Sequence, residues 1–246
     1  MNYKYIIEKE NYEDLASGRV LLNSPGTTAF PVRLASEIYL RAKARLQRKT
    51  ENKRYTLYDP CCGGGYLLAT LGILHGEDLE RMIGSDQNAS VLDIARINLS
   101  MLNIHGINER KERLLQLFRE YGKTSHQQAI ESAERLQQQI EARNRTIETH
   151  YFQADILASS PILPVEVDLV ITDVPYGRTV EWMVEDPLEE FNPIERMLDN
   201  LLAVMYSHAV VAVIADKNQK VDHAGYHRLE RFKTGQRQVV LLEPAR

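Results

Sequence analysis

What this sequence has little of narrows it first. Cysteine is nearly absent. The two present, Cys61 and Cys62, are adjacent in a chain of 246 residues, which rules out a disulfide framework and points to a reducing compartment. No apolar run approaches the roughly 18 residues that span a bilayer. The first ten residues alternate charged and apolar groups, without a signal-peptide h-region or a transit-peptide pattern, so the expected location is the cytoplasm and no membrane partner is expected. An excess of positive charge is missing too. The formal net charge is −4, which argues against nonspecific nucleic-acid binding by the bulk surface and makes local charge placement the informative quantity. What is present, 43% hydrophobic and 26% charged residues with 13 Gly and 9 Pro, is ordinary for a globular chain.

Along the chain, residues 23–31 (NSPGTTAFP) form a turn-rich loop. Leu34, Ile38, Ala42 and Leu46 then recur at helical spacing. The polar side of that helix carries Arg33, Arg41, Lys43, Arg45, Arg48, Lys49, Lys53 and Arg54 against Glu37 and Glu51. From sequence, a solvated face and an RNA-facing one read alike. From residue 55 the pattern becomes strand, glycine loop, helix: a strand over 55–58, the loop DPCCGGG over 59–65, and an almost wholly apolar helix over 66–74. A second strand over 82–85 ends at Asp86, and Ser90 with Asp93 resembles a capping box for the helix that follows. Residues 108–149, rich in Glu, Gln and Arg, read as a helical hairpin inserted into an α/β domain. Further strands are expected over 151–154 ending at Asp155, over 167–172 ending at Asp173, over 209–215, and as an antiparallel pair over 229–234 and 238–242 around Gly235. A helix starts at Asn192-Pro193.

Seven strands alternating with helices imply an α/β fold, a mostly parallel sheet with helices on both faces. The expected organisation is an N-terminal loop and basic helix over 1–54, packed on a main domain over 55–246. In such sheets ligands sit beyond the carboxyl ends of the strands. Four acids, Asp59, Asp86, Asp155 and Asp173, fall at that edge, more than helix capping readily accounts for.

The glycine turn lacks the full GxGxxG spacing and the Gly-Lys-Ser/Thr ending of a phosphate loop. Asp59 at its start would repel a pyrophosphate and suits a ligand bearing an amine. Cys61 and Cys62 read as small side chains lining a pocket. Asp86, 27 residues on, suits both hydroxyls of a ribose. Asp155, or the Ile156 amide beside it, could meet an adenine edge, with capping an equal reading. The Asp173-Val174-Pro175-Tyr176 ending carries the chemistry. Asp173 and the Val174 carbonyl are acceptors for the N–H groups of a planar base. Pro175 fixes the backbone that aims the carbonyl, and Tyr176 offers a ring for stacking. Arg178 could touch a phosphate, and Trp182 could close over the site or anchor its own loop. No His, Cys or acidic spacing argues for a metal; His223 and His227 read as loop residues.

Together these features resemble class I S-adenosylmethionine-dependent methyltransferases acting on a nucleobase nitrogen. More narrowly, PGTTAFPVRLASE (25–37), YDPCCGGGYLLATLGILH (58–75), GSD (84–86), FREYGKTSHQQA (118–129), TDVPYG (172–177) with Trp182, and LERFKTGQRQ (229–238) resemble the ribosomal RNA guanine methyltransferases of the avilamycin-resistance type. GGG stands here where that pattern has GSG. The resemblance implies a seven-stranded sheet, a helical insertion, S-adenosylmethionine as cofactor, and methylation of a guanine, nominally at N1, in the 23S RNA of the large ribosomal subunit. It assigns the cofactor to Asp59, Pro60, Cys61, Cys62, Gly63, Gly65, Asp86, Asp155 and Asp173, and catalysis to Asp173, Val174, Pro175 and Tyr176. The substrate falls to Pro25, Thr28, Phe30, Arg33, Tyr176, Arg178 and Trp182. RNA would be held by the Arg41–Arg54 face, Lys123 with the hairpin's arginines, and Lys217, Lys220, Arg228, Arg231, Lys233 and Arg237. Other readings are an adenine-N6 or guanine-N2 methyltransferase, a nicotinamide-linked oxidoreductase, which the missing GxGxxG disfavours, and an RNA-binding protein on a retired methyltransferase fold.

Overall fold

The computed structural model describes residues 3–16, 18–24, 28–143, 145–159, 166–175, 182 and 192–245. In chain order the elements are α1 (Val32–Leu46), β1 (Tyr55–Asp59), α2 (Tyr66–His75), β2 (Leu79–Asp86), α3 (Ala89–Ser100), α4 (Ile104–Tyr121), α5 (Thr124–Ala142), β3 (Glu148–Gln153), β4 (Val167–Asp173), α6 (Pro193–Leu202), β5 (Met205–Asp216), β6 (Tyr226–Thr234) and β7 (Arg237–Pro244).

The seven strands form one sheet in the order β3-β2-β1-β4-β5-β7-β6. The first five run parallel, and β7 is antiparallel to both β5 and β6. The order reverses between β1 and β4, and there the crevice of such a sheet opens. Strand β5 shows why the sheet is covered on both sides: Val210, Ala212 and Ile214 enter one apolar cluster, whereas Val211, Val213 and Ala215 enter the other. The first cluster takes buried residues from α1 to α5 and the second from α6, so the layers are unequal.

Sequence periodicity placed α1 correctly but not its surroundings. Leu34, Ile38, Ala42 and Leu46 are all buried, as the spacing predicts, yet Glu37 and Arg41 are buried with them. Glu37 accepts the backbone N–H groups of Lys4, Tyr5 and Ile6 at 2.6, 2.9 and 2.8 Å and the Arg41 Nε at 2.7 Å. Burial alone would raise its carboxyl, but the donors from Ile6, Lys4, Tyr5 and Arg41 outweigh it and hold the group below the usual carboxylate range. Arg41 also pairs with Glu230 of β6 and lies 4.5 Å above the Phe232 ring. Lys43 pairs with Asp78, Arg45 with Glu230 and Lys49 with Glu243. These four charges are paired within the fold and tie α1 to β6, to β7 and to the turn before β2, which favours the structural over the RNA-facing reading of this helix at those positions.

The hairpin forms, with α4 and α5 joined at Gly122, whose φ of 62° closes α4. It starts at Ile104 rather than residue 108, because the Asn103 side chain accepts the Gly106 N–H at 3.0 Å and caps α4 directly after α3. Two smaller expectations change. The cap of α3 is Asn88, which accepts the Ser90 N–H at 3.0 Å, not Ser90. Strand β3 starts at Glu148 and stops at Gln153, so Asp155 lies two residues past the strand rather than ending it. Its first half, Glu148-Thr149-His150, is largely exposed on the sheet edge and carries no apolar alternation to read.

Candidate active site

Three parallel strands deliver carboxylates to one rim: β1 ends at Asp59, β2 at Asp86 and β4 at Asp173. A cavity of about 970 Å³ runs along that rim. Of the residues singled out from sequence, it gathers Thr28, Phe30, Asp59, Pro60, Cys61, Cys62, Gly63, Asp86, Asp155, Asp173, Val174, Pro175 and Trp182. The glycine turn and the Asp173-Val174-Pro175 turn thus face one hollow. Pro25, Tyr176 and Arg178 lie outside the described residues.

The turn after β1 is built to bring backbone close to whatever fills the cavity. Cys62 N–H donates to the Ser85 carbonyl at 2.9 Å and Gly65 N–H to the Cys62 carbonyl at 2.8 Å. Gly63 N–H donates to the Asp86 carboxylate at 2.8 Å. Gly64 must be glycine, because a Cβ would come within 2.5 Å of the Ser24 hydroxyl and 2.9 Å of Ile94. Gly65 has φ +69° and packs against the Ala95 backbone. It stands behind the turn at the start of α2 and does not line the cavity, a correction to its expected role; Gly64 lines it instead. Asn98, buried on α3, holds the assembly from below. Its amide donates to the Leu22 carbonyl at 2.8 Å and the Gly64 carbonyl at 2.7 Å, and its oxygen accepts the Leu22 N–H at 2.8 Å. No sequence signal marked it, since a lone Asn in an apolar helical stripe has no motif.

Electrostatics divide the rim. Asp59 is 1% exposed. Burial pushes its carboxyl up to about 7; the Thr172 hydroxyl and the Cys61 amide oppose this, while the Asp173 and Asp86 charges add to it. Burial likewise raises Asp86, against the amides of Asn88 and Gly63 that bind its two oxygens at 2.9 and 2.8 Å. Burial and the Asp59 and Asp86 charges push both thiols up, so Cys61 and Cys62 act as small neutral walls. Asp155 lines the cavity, and its carboxylate accepts the Leu157 N–H at 2.8 Å, closing a local turn, and the Gln87 amide at 3.3 Å; no helix directly follows it among the described residues. The 173–175 turn is braced by a chain of amides: Val174 N–H donates to the Ile214 carbonyl at 3.0 Å, Gln219 Nε2 reaches the Pro175 carbonyl at 3.5 Å, and Gln238 holds the Gln219 carbonyl at 2.5 Å. Trp182 lines the cavity and packs against the second apolar cluster. Arg33 does not reach the cavity. Its guanidinium donates to the carbonyls of Ile6 and Ile7, at 2.7 and 2.9 Å, and stacks on Tyr3. Sequence reasoning also passed over Asn23, Ser24, Gln87, Asn88 and Ile94, which line the cavity and carry no pattern of their own.

A seven-stranded sheet in this order, with an acid-tipped glycine turn and an Asp-x-Pro turn on one cleft, has the architecture of a class I methyltransferase. The chain belongs to the AviRa family of ribosomal RNA methyltransferases: the family model described as rRNA methyltransferase AviRa matches residues 1–237. It is 37% identical over 247 residues to the 23S rRNA (guanine(2535)-N(1))-methyltransferase of Streptomyces viridochromogenes, covering 99% of this chain and 96% of that protein. The solved structure of rRNA methyltransferase AviRa from the same organism superposes with a TM-score of 0.84 at 35% identity, again over 99% of this chain and 96% of that one. TrmN from Thermus thermophilus matches with a TM-score of 0.52 at 17% identity, over 89% of this chain and 51% of that one, and shares the fold.

Proposed function

We propose that this chain transfers a methyl group from S-adenosylmethionine to N1 of a guanine in 23S ribosomal RNA, in the cytoplasm where that RNA is found. The observation that carries the reading is the single cavity joining the Asp59–Gly64 turn and Asp86 to the Asp173–Pro175 turn. The family membership and the activity of the Streptomyces relative support the choice of substrate.

The donor set fits the cofactor. Each Asp86 oxygen accepts one backbone N–H, and a carboxylate offers about four acceptor positions, so lone pairs remain for two ribose hydroxyls. Asp59 is a buried acid with no cation among the described groups that shift it; an amine beside it would restore the charge. Val91, Ile94 and Ile156 supply apolar wall for an adenine. When bound, the cofactor supplies a methyl group already activated on a sulfonium, so the protein's work is positioning and proton removal.

That work falls to the 173–175 turn. Asp173 accepts the N1 proton, directly or through water. The Val174 carbonyl accepts from the neighbouring amine and fixes the base plane. Pro175 holds that carbonyl in place, and Tyr176 stacks on a base that has left its helix. Unmodified 23S RNA incubated with labelled cofactor and this protein, followed by mass mapping, tests the reading. N1-methylguanosine is expected; methyl on adenine N6 or guanine N2, or none, overturns it.

A further inference from the structure

The cavity's charge is lopsided. Asp59, Asp86, Asp155 and Asp173 line it, and among the described lining residues one cation, Arg237, opposes them. Arg237 begins β7, directly after the Gly235 turn, and pairs in register with Asp216 at the carboxyl end of β5. Because β7 runs antiparallel, its first residue reaches the same rim as the last residues of β1, β4 and β5. Asp173 pairs with Ile214 of that same β5. Arg237 therefore stands two strands from Asp173, about 10 Å sideways, on the side away from Asp86. The guanidinium lies 5.5 Å from the ring centre of Phe30, another wall of the cavity. Its neighbour Gln238 is buried and donates to the Asp216 and Gln219 carbonyls at 2.8 and 2.5 Å, and Gln219 reaches the Pro175 carbonyl. One hydrogen-bonded strip thus sets Arg237 relative to the 173–175 turn.

Guanine presents two donors and one acceptor along its pairing edge: the N2 amine, N1–H and O6. The Val174 carbonyl and Asp173 match the donors. A guanidinium at the far side of the base matches O6, the oxygen that arginine most often reads on guanine. We infer that Arg237, held over Phe30, is a catalytic residue that binds O6 of the target guanine, both selecting guanine over adenine and stabilising the negative charge that reaches O6 when N1 loses its proton. This rests on the function proposed above. The N1–H bond breaks and its proton goes to the Asp173 carboxylate. The electron pair left behind spreads over N1, C6 and O6, where Arg237 neutralises it. N1 then forms the new N–C bond as the donor's C–S bond breaks and its electron pair stays on sulfur. Asp173 returns the proton to water after product leaves. Adenine has an amine where guanine has O6 and meets the guanidinium with like-signed hydrogens.

Single-turnover methyl transfer to a 23S RNA fragment, with enzyme and cofactor saturating, tests this in wild type, R237Q and R237K, with cofactor affinity and thermal melting measured alongside. R237Q should slow transfer by about 10²- to 10³-fold, the usual effect of losing one donor to a developing oxyanion, with cofactor binding and melting unchanged. R237K should recover part of the loss. If R237Q transfers methyl at the wild-type rate once RNA is saturating, and loses only RNA affinity with a salt slope lower by about one, Arg237 is a phosphate contact and the inference falls. Should R237Q fail to fold, R237K decides: a wild-type rate on guanine overturns the role, a slowed one supports it. Wild-type protein that puts no methyl on guanine N1 would instead fail the function reading, an outcome distinct from a normal R237Q.

Discussion

Helix α1 and the strand rim are the two charge-rich regions of this molecule, and they use charge in opposite ways. On and just after α1, positive groups meet acids of the same chain: Arg41 with Glu37 one helical turn away and with Glu230, Lys43 with Asp78, Lys49 with Glu243. On the rim, acids are gathered at one cavity, and burial first, with the Asp173 and Asp86 charges adding to it, raises Asp59 toward neutrality. A charge compensated by its own chain is structural. In the cavity, four acids face one cation among the described lining residues, Arg237, a balance that suits a ligand bearing positive charge. The difference also explains why so basic a helix in a chain of net charge −4 need not bind RNA.

Four experiments press on that contrast. The largest effect belongs to Asp173. D173N should cut methyl transfer by about 10²- to 10⁴-fold, the range for loss of a general base, while the circular dichroism spectrum and melting temperature stay at wild-type values; near-normal turnover removes Asp173 from the chemistry. On α1 the effect moves from rate to stability. E37Q removes the more buried of Arg41's two acid partners, leaves Glu230 in place, and should lower unfolding free energy by about 1.5–3 kcal/mol, read by urea denaturation, with RNA affinity of the folded fraction unchanged. A drop in that affinity would restore the RNA-facing reading of the helix. Glu37 is held below its ordinary value, so its contribution is present above the unfolded carboxyl range and is lost as pH falls through the folded value.

Asp59 has the reverse sign. Its folded value is about 7 against 3.8 for an ordinary Asp, so the folded state retains a proton that the unfolded chain releases, and stability falls as pH rises from about 4 to about 7. D59N should therefore melt higher than wild type at pH 8 and equally at pH 4. The same variant should bind S-adenosylmethionine about 10- to 100-fold more weakly, as expected for one charge-assisted hydrogen bond, and calorimetry of wild type near pH 6.5 should show protons released on binding. A variant that is both less stable at pH 8 and unaltered in binding would make Asp59 a structural acid like Glu37. Smallest is K49A, which breaks the half-exposed pair with Glu243 and should cost less than about 1 kcal/mol, set by the same denaturation assay against E37Q.

Much of the site was legible because its parts are consecutive in sequence. An acid after an apolar strand, a run of glycines and an Asp-x-Pro ending report their own geometry. Asp59, Asp86 and Asp173 all stand at strand tips as read. What escaped were residues whose role depends on a partner far along the chain. Asn98 braces a loop 76 residues away, and Arg33, an exposed base by pattern, turns to Ile6 and Ile7.

Local pattern by itself determined the strand count, the helical hairpin, the stripe of α1 and the acids at the strand ends, because hydrophobic period and turn chemistry act over a few residues. Tertiary structure alone decided which charges are compensated. It brought the edge strand β6 within side-chain reach of α1, so that Glu230 meets Arg41. By reversing β7 against β5 it also carried Arg237 to the rim that Asp173 occupies. Coulomb interactions depend on distance in space, and only the folded sheet sets that distance for residues dozens of positions apart.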